Sequence, residues 1–167
     1  ILLKHGAGGR AMRRLIADTF LSAFATDPPE RAGVLGLSAM DDGGAVRLGD
    51  HWLVVTTDSH VIQPIFFPGG DIGRLAIAGT VNDLAMMGAT EILGLTCGMV
   101  IEEGFPRRDL ERILASVRAA AAEASATVIA GDTKVMGARE IDGIVINTTG
   151  VGLTRHLVRD AGLQIGD

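Results

Sequence analysis

The sequence has 167 residues, of which 47% are hydrophobic and 21% are charged, and its net charge is −5. This composition suits one compact domain and the start of a second. The acidic balance excludes the basic surface that nucleic acids and anionic membranes require, and no apolar run reaches the roughly 18 residues of a membrane-spanning helix. The single cysteine, Cys97, excludes an internal disulfide framework, so we expect a cytoplasmic protein.

Glycine content and hydropathy are both unusual. The 23 glycines cluster beside charged residues, and the mean hydropathy is +0.34 with only 4% aromatic residues. A small domain with so much apolar surface is expected to cover part of it with another subunit or a further domain.

The N-terminal half predicts two helices around a β-hairpin. Apolar residues at helical spacing predict a helix over residues 9–25 that ends near the prolines at 28 and 29. Residues 45–59 predict a hairpin with its turn at Gly49 and Asp50. A loop rich in proline and glycine follows at 64–70, and a helix of small residues begins near Asp71.

The C-terminal half alternates strands and helices. We predict a strand at 90–102, a helix at 106–125, a short buried strand running into a loop at 126–134, and a strand at 143–154. This alternation predicts an α/β or α+β fold with a mixed sheet, and of these we expect α+β. The pattern changes after Thr154, so we predict a domain over residues 1–154 and a linker into a truncated second domain over 155–167.

Acidic residues fall at predicted strand ends and inside one apolar helix. They are Asp41, Asp42, Asp58, Asp83 and Asp132. Four of them have a simple alternative explanation as turn or cap residues. Asp83 does not, because it lies mid-helix.

Asp83 shares a helical stripe with Ile72, Ala76, Gly79 and Met87. Burying an unpaired, ionised carboxylate in such apolar surroundings costs roughly several kcal/mol of free energy, unless the charge is neutralised. Cationic side chains are scarce nearby in the sequence. A magnesium ion, which prefers oxygen ligands, is therefore the favoured partner.

Two glycine-rich loops are candidate phosphate cradles. Residues 5–9 precede the first helix and residues 67–73 precede the second, so their backbone N–H groups could bind anionic oxygens, although either loop could be a simple turn. Lys134 could contact a phosphate or could be a solvated surface lysine. No Walker or dinucleotide-binding motif is present.

Four motifs, taken in order, resemble a known superfamily. They are DDGGAV from residue 41, TTDS from 56, FFPGGDIGRLAIAGTVNDLAMMGA from 66, and IAGDTK from 129. Over nearly the whole chain they resemble the ATP-binding half of the aminoimidazole ribonucleotide synthetase (PurM-like) superfamily. The runs TTDSHVIQPIFFPGGDIG, GTVNDLAMMGA and KHGAGGRAM are most similar to its HypE family of hydrogenase maturation factors.

The resemblance implies a fold, an activity and partners. The fold is a PurM-like N-terminal domain, a mixed sheet flanked by helices, with the sheets of two chains paired into a barrel in a homodimer. The activity is ATP-dependent dehydration of an S-carboxamide on a C-terminal cysteine to a thiocyanate, which supplies the cyanide ligands of nickel–iron hydrogenase. The partners are the carbamoyltransferase HypF and a HypC–HypD complex.

The resemblance also implies roles for individual residues. Magnesium ligands would be Asp42, Asp58, Asp83 and Asp132, assisted by Asn82, with Asp41 able to share the role of Asp42. Lys134 and Asp83 would be catalytic. The remaining ATP-binding residues would be His5, Gly6, Gly8, Gly9, Gly131 and Thr133, the first four as a glycine-rich flap. His60 could be catalytic or could make a structural hydrogen bond.

Two departures and two alternatives remain. The sequence ends at Asp167 without the family's second domain and terminal cysteine, so by itself it is expected to be inactive, and Cys97 is expected to be a core thiol. Within the same fold, a thiamine-monophosphate kinase remains possible, whereas the lack of a reactive cysteine near the start argues against a selenophosphate synthetase. A non-catalytic dimerisation and docking module is the other alternative, although docking needs none of the acids.

Overall fold

The computed structural model describes residues 1–24, 33–162 and 164–166. Its strands are β1 (Val34–Leu35), β2 (Gly44–Leu48), β3 (His51–His60), β4 (Phe66–Phe67), β5 (Gly70–Asp71), β6 (Glu91–Glu102), β7 (Val128–Met136) and β8 (Ile144–Thr154). Its helices are α1 (Gly9–Leu15), α2 (Ser22–Phe24), α3 (Ile72–Met86) and α4 (Arg107–Glu123). A π-helical stretch, Ile16–Leu21, joins α1 to α2.

Six strands form one mixed sheet in the order β1-β2-β3-β8-β6-β7. Neighbouring strands in this sheet are antiparallel, except that β6 and β7 are parallel. A parallel pair needs a crossover connection, and α4 supplies it. Strands β2 and β3 form the predicted hairpin, with Leu48 opposite His51. The fold class is confirmed as α+β. The small β4–β5 hairpin occupies the segment predicted to be a loop.

Helix α3 lies at the centre of the domain, against β3, β8 and α4. Asp71 caps its first turn by accepting a hydrogen bond from the Arg74 N–H at 3.0 Å. Gly88, with φ of 78°, follows its end, as glycine commonly does after a helix. Close packing on α4 requires Gly73, since a Cβ there would lie 2.6 Å from the Ile113 carbonyl oxygen.

The helices cover one face of the sheet. Alternate residues of β8 from Ile144 to Gly152 are buried, and the residues between them are not. Ile72, Ala76 and Met87 are buried, as their stripe on α3 predicts. Among the described residues, no helix is both long and apolar enough to cross a membrane.

The prediction of a short buried strand at 126–134 is wrong. β7 is longer, and every residue from Val128 to Val135 is exposed. Its apolar letters resemble a core strand, but β7 is an edge strand with one neighbour, so Ile129 is 65% exposed and Val135 is 67% exposed. Asp132 and Lys134 therefore lie within a strand, not in a loop.

The first helix and the segment after β8 can be compared with their predicted bounds. The first helix runs as predicted from Gly9, but its predicted end near the prolines lies outside the described residues. After Thr154 the chain packs back onto the domain, where the Val158 N–H donates to the Met87 carbonyl at 3.1 Å. The domain boundary at 154 stays a prediction.

Candidate functional site: an acidic cluster and a separate edge strand

Three of the predicted acids meet on the helix-covered side of the sheet. Asp42 precedes β2, Asp58 lies on β3 and Asp83 lies on α3. They are near enough that the charge of Asp58 acts on both of the others. Residues far apart in sequence thus form one acidic cluster, which we define as Asp42, Asp58 and Asp83.

The buried Thr56 hydroxyl links two members of this cluster. Its Oγ1 lies 2.8 Å from Asp83 Oδ2 and 2.9 Å from the Asp42 carbonyl oxygen, and it can donate to either. Because Thr56 and Asp58 are two residues apart on β3, their side chains leave the same face of the strand. Thr56 therefore ties α3 and the loop before β2 to the strand that carries Asp58.

The acidic cluster is short of positive charge. Burial raises the pKa of Asp83; Asp58 and Asp42 raise it further, and the Thr56 hydrogen bond lowers it in part. Burial also raises the pKa of Asp42, followed by the charges of Asp160, Asp41 and Asp58. A bound cation would relieve this repulsion.

Asp41 faces a different partner from its neighbour Asp42. Its side chain is only 1% exposed, and its Oδ2 accepts a hydrogen bond from Arg159 Nε at 3.3 Å. Arg159 comes from the segment that follows β8. The ion pair occupies Asp41, so Asp42 is the member of the pair that joins the acidic cluster.

Asp132 and Lys134 are elsewhere in the same chain. In the sheet register, Asp132 lies level with Gly98, Asn147 and Ser59, whereas Asp58 lies level with the buried Thr148. Asp132 therefore projects from the open face and Asp58 from the covered face. Three strand spacings, about 14 Å, also separate β7 from β3.

These donors fit magnesium only in part. Carboxylate oxygens are its preferred protein ligands, and the raised pKa values of Asp42 and Asp83 mark a deficit that a cation would fill. Across the described ranges, however, no three His, Cys, Asp or Glu side chains are arranged to hold a metal by themselves. Such an incomplete set suits an ion that keeps waters and shares itself with phosphate oxygens.

Among the described residues, no hydrogen bond or ion pair joins the other predicted ATP-binding residues to the acidic cluster. The His5 Nδ1 accepts a hydrogen bond from the Leu2 N–H at 2.8 Å, within its own turn. Gly6 follows that turn, and Gly8 and Gly9, both with positive φ, begin α1. Asn82 is exposed and lines a groove between α3 and α4. Gly131 and Thr133 lie on β7 beside Asp132.

Cys97 is a half-buried thiol on β6 that packs against the core. Burial raises its pKa, which favours the unreactive thiol over the nucleophilic thiolate. This agrees with the prediction of a core cysteine.

Sequence reasoning missed Thr56 and Arg159 as neighbours of the acids, and it placed Gly79 near Asp83 without connecting it to Asp58. The sequence could have indicated Thr56, because it precedes Asp58 by two residues in a β-rich run and so shares its face of the strand. Gly79 lies one helical turn before Asp83 on the same stripe, and this spacing is visible in the sequence. Arg159 left none, since its contact with Asp41 spans 118 residues.

The comparisons with known proteins agree with this architecture. The family model for AIR synthase related protein, N-terminal domain, matches residues 40–154. That match covers most of the chain, so the chain belongs to this family.

The relatives within the family are HypE-type proteins. A hydrogenase expression/formation protein of Methanocaldococcus jannaschii is 45% identical over 98% of this chain and 48% of its own length. The carbamoyl dehydratase HypE of Rhizobium leguminosarum bv. viciae is 47% identical over 90% of this chain and 41% of its own length. The chain thus spans less than half the length of these curated relatives.

Solved structures give the same picture. A HypE–HypF complex matches with a TM-score of 0.73 at 44% identity, covering 85% of this chain and 43% of that chain. A HypE in complex with ATP matches with a TM-score of 0.59 at 46% identity, covering 90% and 42%. The thiamine monophosphate kinase of Aquifex aeolicus, with a TM-score of 0.66 at 18% identity, shares the fold alone.

Proposed function

We propose that this chain is the ATP- and magnesium-binding half of a HypE-type carbamoyl dehydratase. In that reaction the carboxamide oxygen of a carbamoylated cysteine attacks the γ-phosphate of ATP and ADP leaves. The phosphorylated oxygen then departs as phosphate, the nitrogen gives up its hydrogens as protons, and a thiocyanate remains. The observation that carries the proposal is the convergence of Asp42, Asp58 and Asp83 on one side of the sheet.

The acidic cluster would hold the magnesium ion. Magnesium, when bound, cancels negative charge on the phosphates during transfer. Thr56 keeps Asp83 at a fixed position relative to the loop that carries Asp42. Burial raises the pKa of Asp83, the charges of Asp58 and Asp42 raise it further, and a bound cation would oppose this repulsion. Neither a purely structural role for the cluster nor a docking function explains why carboxylates that repel one another lie together.

Lys134 and Asp132 would join the site from a second copy of the chain. Within one chain they project from the opposite face of the sheet to Asp58. A homodimer that pairs two sheets would bring the open face and edge of one chain to the acids of the other. Exposed apolar residues on the edge strand, Ile129 and Val135, support burial there in an assembly.

The remaining partners are proposed from the relatives and the resemblance. HypF is proposed as a partner because a related HypE is found in a HypE–HypF complex. A HypC–HypD complex is proposed from the resemblance alone, and a cytoplasmic location from the single cysteine. The flap of His5, Gly6, Gly8 and Gly9 would close over the ATP phosphates with backbone N–H groups.

Isothermal titration calorimetry on the complete chain tests the proposal. ATP should bind in the presence of Mg²⁺ and should bind much more weakly in EDTA, because the acidic cluster repels the phosphates when no ion lies between them. Equal affinity in both conditions would remove the acidic cluster from nucleotide binding and contradict the proposal.

A further inference from the structure

His60 lies beside the acidic cluster with an unusual environment. It is the last residue of β3, two residues after Asp58, so both side chains leave the same face of the strand. Its side chain is 11% exposed, and Nε2 lies 4.0 Å from Asp58 Oδ2. Nδ1 is buried and has no hydrogen-bond partner among the described residues.

These contacts indicate which ring nitrogen carries the hydrogen. A buried N–H without an acceptor is rarer in proteins than an unpaired acceptor. A hydrogen on Nδ1 would have no acceptor, whereas a hydrogen on Nε2 faces the Asp58 carboxylate. The separation of 4.0 Å is about 1 Å longer than a hydrogen bond. The hydrogen bond would form if the two groups moved about 1 Å closer.

Gly79 on α3 leaves the space that this pair occupies. A Cβ at Gly79 would lie 2.9 Å from His60 Nε2 and 3.2 Å from Asp58 Oδ2. Glycine inside a helix costs about 1 kcal/mol relative to alanine, and no positive φ requires it here. The reason for glycine is therefore steric: any side chain would push Asp58 and His60 out of their places.

We propose that His60 is a positioning residue that donates its Nε2 hydrogen to Asp58 and so orients that carboxylate toward the divalent cation. Gly79 keeps the space in which the two groups meet. Hydrogen bonds to a ligating group, made by residues that do not touch the ion, set the orientation and affinity of metal ligands in general. The inference rests on the proposed function, because it presumes a cation at the acidic cluster.

An isosteric pair of variants tests this role. In His60→Gln the amide nitrogen takes the place of Nε2 and can still donate to Asp58. In His60→Asn the nitrogen takes the place of Nδ1 and cannot reach. The complete chain is titrated with Mn²⁺ beside a non-hydrolysable ATP analogue, and bound ion is measured by electron paramagnetic resonance. We expect His60→Asn to weaken Mn²⁺ binding by about 10- to 100-fold and His60→Gln by no more than about threefold.

The other possible results contradict either the positioning role of His60 or the proposed function. Mn²⁺ binding by His60→Asn equal to wild type would overturn the role, as would equal weakening in both variants with equal losses of melting temperature in EDTA. If the wild type itself binds no Mn²⁺, the magnesium site of the proposed function fails, and the positioning role falls with it.

A second variant decides the matter should His60→Asn fail to fold. Gly79→Ala adds a methyl group between His60 and Asp58, and we expect at least about tenfold weaker Mn²⁺ binding in a protein that still melts cooperatively. The control is Ala78→Gly, at an exposed position on the same helix, which should leave Mn²⁺ affinity unchanged. Wild-type affinity in Gly79→Ala would overturn the inference.

Discussion

The acidic cluster and the edge strand β7 carry equally polar residues in different surroundings: Asp58 and Asp83 are half-buried and Asp42 is exposed, whereas Asp132 and Lys134 are both exposed. Asp83 and Asp42 lie where burial and neighbouring carboxylates raise their pKa values. Asp132 and Lys134 are exposed, and the strand register places their side chains on the open face of the sheet. The acidic cluster has negative charge without a cationic partner among its members, whereas β7 has a lysine beside a single carboxylate.

This difference indicates how the predicted site is divided. The family resemblance implies one site for all of these residues, but the sheet register places them on two faces. A second copy of the chain is the simplest way to bring the two regions together, since in a two-fold dimer one region of each chain can contact a different region of the other. The predictions below separate the two regions experimentally.

The largest effect is expected from Lys134→Ala. Loss of one charge-stabilising contact costs on the order of a hundredfold or more in rate, while the fold should survive because the side chain is exposed. ATP consumption with the carbamoylated substrate measures this. The control, Arg107→Ala, removes an exposed cation on α4 that lies in neither region. An unchanged rate in Lys134→Ala would remove this residue from the mechanism.

A somewhat smaller effect is expected from Asp83→Asn. The amide still accepts from Thr56 but loses the charge that holds the ion, so Mg²⁺-dependent ATP affinity should fall at least about tenfold. Stability in EDTA should be unchanged or higher, because a repelled charge is gone. Asp109→Asn, on α4, is the control.

Thermal melts with and without Mg-ATP measure both effects of Asp83→Asn. A mutant that is less stable in EDTA, yet is stabilised by Mg-ATP as much as wild type, would make Asp83 structural.

The smallest effect is a pH dependence of the metal-free protein. Because the pKa values of Asp42 and Asp83 are raised from 3.8 in the folded state, the stability that these groups contribute is full below about pH 3.8 and is lost as pH rises through the raised values. The double variant Asp42→Asn with Asp83→Asn should lack this loss. Urea unfolding in EDTA between about pH 3.5 and 6 measures the difference.

Glu102 supplies a control of opposite sign. Its carboxylate accepts backbone hydrogen bonds from Arg139 and Gly143, which lower its pKa from 4.5. Its contribution is therefore present above about pH 4.5 and is lost as pH falls. If Glu102→Gln and the double variant changed the slope in the same direction, the interpretation of the acidic cluster would be wrong.

Much of the fold was predictable because it follows local patterns. Helical periodicity predicted α3 and the stripe that carries Asp83, and β-rich runs flanking Gly49 and Asp50 predicted the hairpin. The exposure of β7 was not predictable, because its apolar residues match those of a core strand and only the strand order places it at an edge. The face on which Asp132 projects depends on register with β6, which one sequence does not contain.

Mixed dimers give the most direct test of the division between the two regions. Complete chains carrying Asp83→Asn and Lys134→Ala are each expected to be inactive alone. If each site takes its acids from one chain and Lys134 from the other, a mixed dimer has one site with both substitutions and one with neither. Random mixing should then restore about a quarter of wild-type activity. Activity that stays at the level of the separate variants, in dimers shown to have exchanged chains, would contradict the account.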